Sequence, residues 1–209
     1  MVPFDSKKGQ QYLLTSNLNT NFFKLIENYT SQKNQVYCGI ASAVIILNSL
    51  ETIPDSLLFD KYYFFTQENV FLSDFKNKKF MDEIYKHGIT LDKLGEMLKE
   101  KKVDVIIKHA SSKGYFNFIH DIENTLHHQN FIIVNFFRPK INQEGGGHFS
   151  PIAAYNKNKN SVLILDVARY KQKPFWINAD RLWKSMNTLD KRAHKSRGYL
   201  IIKGVPHEK

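Results

Sequence analysis

Near residue 103 the spacing of apolar residues in this chain changes character, and that change limits the fold more than any other feature. Before it, apolar positions keep helical spacing: Cys38 to Leu50 is a dense apolar run, and Leu91, Leu94, Met97 and Leu98 follow Thr90, a helix-capping residue. Pro54-Asp55 is expected to open another helix, running through Phe65. Beyond it, β-branched and aromatic runs predict strands at Val103 to Ile107, Phe131 to Phe137, His148 to Tyr155, Val162 to Val167 and Gly198 to Lys203. Between the first two, Phe116, Ile119, Ile122 and Leu126 fit one helical face, and Asn156 to Asn160 read as a hairpin turn. The expected class is α+β, a helical N-terminal half followed by an antiparallel β-sheet C-terminal half.

At 209 residues, 42% of them hydrophobic, the chain is long enough to bury a real core, and with no repeat or low-complexity linker it reads as one domain over 1–209. Nowhere do about 18 uncharged apolar residues run together, and Met1 to Lys8 lacks the apolar segment of a signal peptide. A soluble, cytoplasmic protein is expected, with a secreted or periplasmic form left open. The formal charge of +10 attracts anions of every kind, acidic metabolites, nucleic acid and acidic membranes alike. The lysine groups Lys76-Asn77-Lys78-Lys79 and Lys99-Glu100-Lys101-Lys102 lack the interleaved aromatic platform of single-strand binders, so they read as solvated faces. His120, His127 and His128 share or nearly share a helical face, but no carboxylate or cysteine at ligand spacing completes a tetrahedral set with them, and no metal site is expected there.

Cys38 is the one cysteine, which rules out an internal disulfide and a Cys-rich metal site. At the start of a buried helix, its thiol would meet unpaired N–H groups and the positive end of the helix dipole, both of which favour a thiolate. Gln32 lies six residues upstream, an offset that suits an amide donor to an oxyanion. His148 follows Gly145-Gly146-Gly147 where a glycine loop meets a strand, and Asp166 ends the apolar run Val162-Leu163-Ile164-Leu165. A hairpin loop of the five residues Asn156 to Asn160 would put His148 and Asp166 on one face of neighbouring strands, two residues out of direct register. Each of these residues alone has a structural explanation; together, in this order, they point to a Cys-His-Asp acyl-transfer site.

Three blocks carry a resemblance: Tyr37-Cys38-Gly39-Ile40-Ala41-Ser42 with Leu47-Asn48-Ser49-Leu50, Gly147-His148-Phe149-Ser150-Pro151-Ile152, and Leu165-Asp166-Val167-Ala168-Arg169-Tyr170. They resemble the signature blocks of phytochelatin synthases, over a stretch from about Phe22 to Lys203, and Phe65 to Phe71 looks more like the bacterial branch than the plant one. The resemblance implies a papain-like fold in which Cys38, His148, Asp166 and Gln32 are catalytic. It implies that Cys38 breaks the Cys-Gly bond of glutathione, leaving a γ-glutamylcysteinyl thioester that water or a second glutathione resolves. Asn135, Arg138, Gly147, Arg169 and Arg197 are the implied substrate-binding residues, the arginines suiting carboxylates. The implied partners are glutathione and phytochelatins, with a homodimer compatible and neither nucleic acid nor membrane involved. No tightly bound cofactor is implied; Cd(II) or Zn(II) would enter as metal-glutathione thiolate.

Two departures from the plant pattern bear on the acceptor side. The run after Arg169 is Tyr170-Lys171-Gln172-Lys173-Pro174, and the chain carries no cysteine-rich C-terminal segment. Hydrolysis of glutathione is therefore expected to exceed polymerisation. The rival enzyme reading is a double-glycine leader-peptide cysteine protease, which shares the Gln, Cys, His, Asp order. The rival of another class is a non-catalytic basic module binding polyanions.

Overall fold

The computed structural model describes residues 1–54, 57–58, 60–112 and 114–204. Its helices are α1 (Lys7–Leu14), α2 (Thr20–Glu27), α3 (Cys38–Ser49), α4 (Leu72–Phe75), α5 (Lys78–His87), α6 (Leu91–Lys99), α7 (Tyr115–His127) and α8 (Ala179–Met186). Its strands are β1 (Val2–Pro3), β2 (Val103–His109), β3 (Phe131–Phe137), β4 (Gly147–Asn156), β5 (Ser161–Ile164), β6 (Phe175–Asn178), β7 (Leu189–Asp190), β8 (Lys195–Ser196) and β9 (Gly198–Gly204). Seven strands form one antiparallel sheet in the order β1-β6-β5-β4-β3-β9-β2, and β7 pairs with β8 in a separate hairpin. The class is α+β, as the change of texture predicts, although β1 joins the sheet edge from the very start of the chain and α7 and α8 belong to the later half.

Both faces of the sheet are buried, which explains why β3 reads as an unbroken apolar run rather than an alternating one. Ile133, Ala153, Leu163 and Leu200 pack with α3 and α6 on one face, while Ile132, Val134, Ile152 and Ile201 pack with α7 and α8 on the other. α3 lies inside the first layer, with every residue from Cys38 to Leu47 buried, so it is apolar all round instead of amphipathic. Thr90 does cap α6, its hydroxyl accepting from the Lys93 N–H at 3.3 Å.

Two expectations need correcting. The helix expected from Pro54-Asp55 to Phe65 lies partly outside the described residues, and residues 57–58 and 60–65 form no helix. Asp60 takes a left-handed φ of 59°, which interrupts a right-handed helix, and the Asn48 side chain holds Phe65 by both its N–H and its C=O. In α7 the inward face carries Phe118, Ile122 and Leu126, while Phe116 is 84% exposed.

The β4–β5 hairpin reaches the expected alignment by another route. Asn156 pairs with Ser161 across a four-residue loop, whose even length would shift the alignment of His148 and Asp166 by one residue. A bulge between Ile152 and Ala154 inserts one residue into β4 and restores the shift, so that Ile152 faces Ile164 and the Leu165 N–H reaches Pro151 O at 3.1 Å. The strand itself ends at Ile164, two residues short of Asp166.

Candidate active site

α3 packs against β4, and the first residue of the helix, Cys38, meets His148 near the start of the strand. Cys38 opens α3 and is buried, and His148 is the second residue of β4, 4% exposed. His148 Nε2 lies 2.9 Å from Asp166 Oδ1, leaving the other ring nitrogen for the thiol. Burial alone would push the Cys38 thiol up. The His148 hydrogen bond and charge, with the N–H groups of Phe149 and Gly39, outweigh it and hold the thiol below its ordinary value. His148 mirrors this: burial disfavours its charged form, yet Asp166 and Cys38 raise it above its ordinary value. Both shifts favour the thiolate–imidazolium form of the pair, the form in which a thiol is nucleophilic and an imidazole can donate a proton.

Asp166 is fully buried and holds its charge through three donors on one oxygen: His148 Nε2 at 2.9 Å, Arg138 Nη2 at 2.8 Å and the Ala168 N–H at 2.9 Å. Burial opposes ionisation, but the charges and hydrogen bonds of His148 and Arg138 keep the carboxyl below its ordinary range. Arg138, expected at the substrate, thus has its guanidinium on Asp166 and on Gln143 Oε1, while its side chain still borders a cavity of ≈ 340 Å³. Gln32 borders the same cavity. Its Nε2 donates to Asn34 O at 2.5 Å and to Tyr170 Oη at 3.0 Å, and its backbone N–H reaches Val167 O at 2.8 Å. Asn135 donates to His148 O at 3.4 Å from the neighbouring strand.

Gly146 and Gly147 form a partition between that cavity and a second one of ≈ 740 Å³, where Arg197 lies. Arg197 is held by Thr188 Oγ1 at 3.1 Å and Leu189 O at 2.8 Å, and its guanidinium stacks 4.9 Å from the Phe137 ring centre. A Cβ on Gly147 would come within 3.1 Å of Arg197 Nε, so the bare backbone there keeps the guanidinium close to the histidine strand. Arg169 is not beside these groups; it sits 4.9 Å over the ring of Tyr29, whose hydroxyl donates to the backbone carbonyl of Asp166.

Two contacts escape the sequence reading. Ser150 Oγ lies 3.0 Å from His148 Nε2, and the i, i+2 spacing along a strand is the signal that could have exposed it. Tyr29 gives no such signal, since 137 residues separate it from Asp166. Among the described residues no group of three or more His, Cys, Asp or Glu could hold a metal ion, and no helix is long and apolar enough to cross a membrane.

The family model for phytochelatin synthase matches residues 1–199. Glutathione gamma-glutamylcysteinyltransferase 1 of Lotus japonicus is 30% identical over 99% of this chain and 41% of its own length. Glutathione gamma-glutamylcysteinyltransferase of Schizosaccharomyces pombe is 28% identical over 96% of this chain and 48% of its own length. The chain thus spans less than half the length of these relatives. A double glycine motif protease from an AMS/PCAT transporter, solved with its leader peptide, has a TM-score of 0.43 and 12% identity, over 85% of this chain and 91% of that one. Matched along nearly all of its length by the family model, the chain belongs to the phytochelatin synthase family.

Proposed function

We propose that this chain is a single catalytic domain that transfers the γ-glutamylcysteinyl group of glutathione through a thioester on Cys38. The observation that carries the proposal is the buried Cys38–His148–Asp166 line, with the thiol lowered and the imidazole raised, in a member of this family. Thiolate attack on the carbonyl between Cys and Gly forms the C–S bond and an oxyanion. The His148 imidazolium then gives its proton to the glycine nitrogen, the C–N bond breaks and glycine leaves. For the second half, neutral His148 takes a proton from water or from the amine of another glutathione, and the new C–O or C–N bond expels the Cys38 thiolate.

Gln32 suits the oxyanion through Nε2, beside the Cys38 N–H, once Tyr170 Oη yields its place. Arg197, with its Nε unpartnered among the described residues, suits the α-carboxylate of the γ-glutamyl group, and Gly147 lets that group approach. Asn135 acts through the His148 carbonyl, while Arg138 and, through Tyr29, Arg169 hold Asp166 in place. Cd(II) or Zn(II) enters as substrate, bound to the thiolates of glutathione. The run Tyr170 to Pro174, which departs from the plant pattern on the acceptor side, favours water as the acceptor.

Purified protein with glutathione, with and without Cd(II) or Zn(II), should release glycine together with γ-glutamylcysteine and few longer thiol peptides. Cys38→Ser should abolish that release. Absence of glycine under every condition would overturn the proposal and turn attention to double-glycine leader peptides.

A further inference from the structure

The cavity that holds Arg197 is bordered by a contact between two elements distant in sequence. One wall is α5, which presents Glu83 and His87, and the other is the β7–β8 hairpin, which presents Leu189 to Arg192. Arg192 joins them: Nη1 donates to Gly88 O at 2.6 Å and Nη2 to Glu83 Oε2 at 3.1 Å. Gly88 ends α5 with φ +73°, so the guanidinium meets a helix C-terminus, whose free carbonyls and negative dipole end favour a cation. The hairpin lies outside the main sheet, and Lys195 ties its other strand to Asp92 of α6 at 2.8 Å, so it is held to α6 as well as to α5. The Arg192 and Glu83 side chains are 36% and 48% exposed, which makes this a weak strap rather than a sealed wall.

We propose that the Arg192–Glu83 strap sets the length of the acyl group this enzyme accepts, admitting γ-Glu-Cys from glutathione and disfavouring donors with a longer γ-Glu-Cys chain. The inference rests on the thioester reading above. In glutathione the γ-glutamyl group ends in a free ammonium, which suits a cavity bearing Arg197 for the carboxylate and Asp190 for the amine, Glu83 being taken up by Arg192. In (γ-Glu-Cys)2-Gly the same nitrogen is an amide: its charge is gone and another dipeptide must continue outward, where the strap stands.

The test measures glycine release from glutathione and from (γ-Glu-Cys)2-Gly by wild type, R192A, R192K and E83A, each compared as the ratio of the two donors' kcat/KM. A ratio cancels a general loss of activity, and E83A removes the Glu83 half of the strap while leaving the hairpin and the Arg192 bond to Gly88 O in place. The expected result is a rise of at least about tenfold in the longer donor's relative use in R192A and E83A, with R192K between them and wild type. Unchanged ratios in both R192A and E83A, with wild type active on glutathione, would overturn the strap alone. A wild type that releases no glycine from glutathione would overturn the thioester reading, and the strap with it.

Discussion

Arg138 Nη2 lies 2.8 Å from Asp166 Oδ1, the same oxygen that receives His148 Nε2, and both residues of this ion pair are buried. A buried carboxylate is costly unless its charge is matched, so the arginine makes a charged Asp166 tolerable at a position where His148 alone would leave it poorly compensated. Arg138→Ala is expected to destabilise the protein by about 3–5 kcal/mol, the usual effect of removing one partner of a buried pair. Urea unfolding at neutral pH measures it; a loss below about 1 kcal/mol would show that the arginine is dispensable to the carboxylate.

The pH dependence of this group has a definite sign. Asp166 titrates lower in the folded protein than its ordinary 3.8, so its stabilisation is fully present above that value and is lost as pH falls through the lower folded value. The gap in urea midpoint between wild type and Asp166→Asn should therefore shrink as the pH falls below about 4, and, because Asp166 also raises His148, it should decline as well when the pH rises through the raised imidazole titration. A gap that instead widens on acidification at the low-pH end would mean that Asp166 is protonated in the folded state.

Cys38 and His148 sustain each other's charge. The thiol contributes a hydrogen bond and a charge to the rise of His148, and Asp166 contributes the rest against burial. In Cys38→Ala the His148 titration, followed by NMR of the imidazole, should move down from its wild-type position, because only the Asp166 support remains. Replacing His148 by Gln should move the alkylation of Cys38 by iodoacetamide to higher pH, since burial then acts with less opposition. Equal midpoints in wild type and Cys38→Ala would contradict the coupling.

Much of this site is legible in the chain because its parts are local. The apolar surround of Cys38 is written into the run that follows it, and His148 and Asp166 flank one hairpin, which brings them near each other. The correct alignment is nonetheless reached through compensating irregularities, a shorter loop and a bulge at Ile152/Ala154, and a bulge in a continuously buried strand leaves no break in the apolar pattern. What stays hidden is long-range. Arg138 reads as a substrate-binding residue, and nothing local marks its ion pair with Asp166, 28 residues on; Arg192 and Glu83, 109 residues apart, have nothing local to mark them either. The helix expected through Phe65 rests on the Pro54-Asp55 start alone, a local signal that does not guarantee a buried face; Tyr62 and Tyr63 are 63% and 62% exposed.

Ser150 shares the imidazole nitrogen that Asp166 uses, at 3.0 Å, and its hydroxyl also receives the Val167 N–H at 3.4 Å. It fixes the ring from the side opposite the thiol. Ser150→Ala removes one neutral hydrogen bond, worth about 0.5–1.5 kcal/mol, and should lower kcat several-fold with little change in KM, because the ring loses orientation rather than charge. A change confined to KM would place Ser150 with the substrate instead.

Tyr29 reaches the site from α2's exit, donating its hydroxyl to the backbone carbonyl of Asp166 while Arg169 covers its ring at 4.9 Å. Burial and the nearby Asp166 charge push the phenol upward, so it remains a donor throughout the accessible pH range. The bond pins the residue just beyond β5, where strand pairing no longer holds Asp166. Tyr29→Phe keeps the ring, and with it the stacking of Arg169, but frees that carbonyl. It is expected to cost about 1 kcal/mol of stability and to lower kcat, whereas Arg169→Ala, which leaves the hydroxyl bond in place, should lower kcat less. If Arg169→Ala proves the more damaging of the two, the arginine acts on the substrate directly and not through Tyr29.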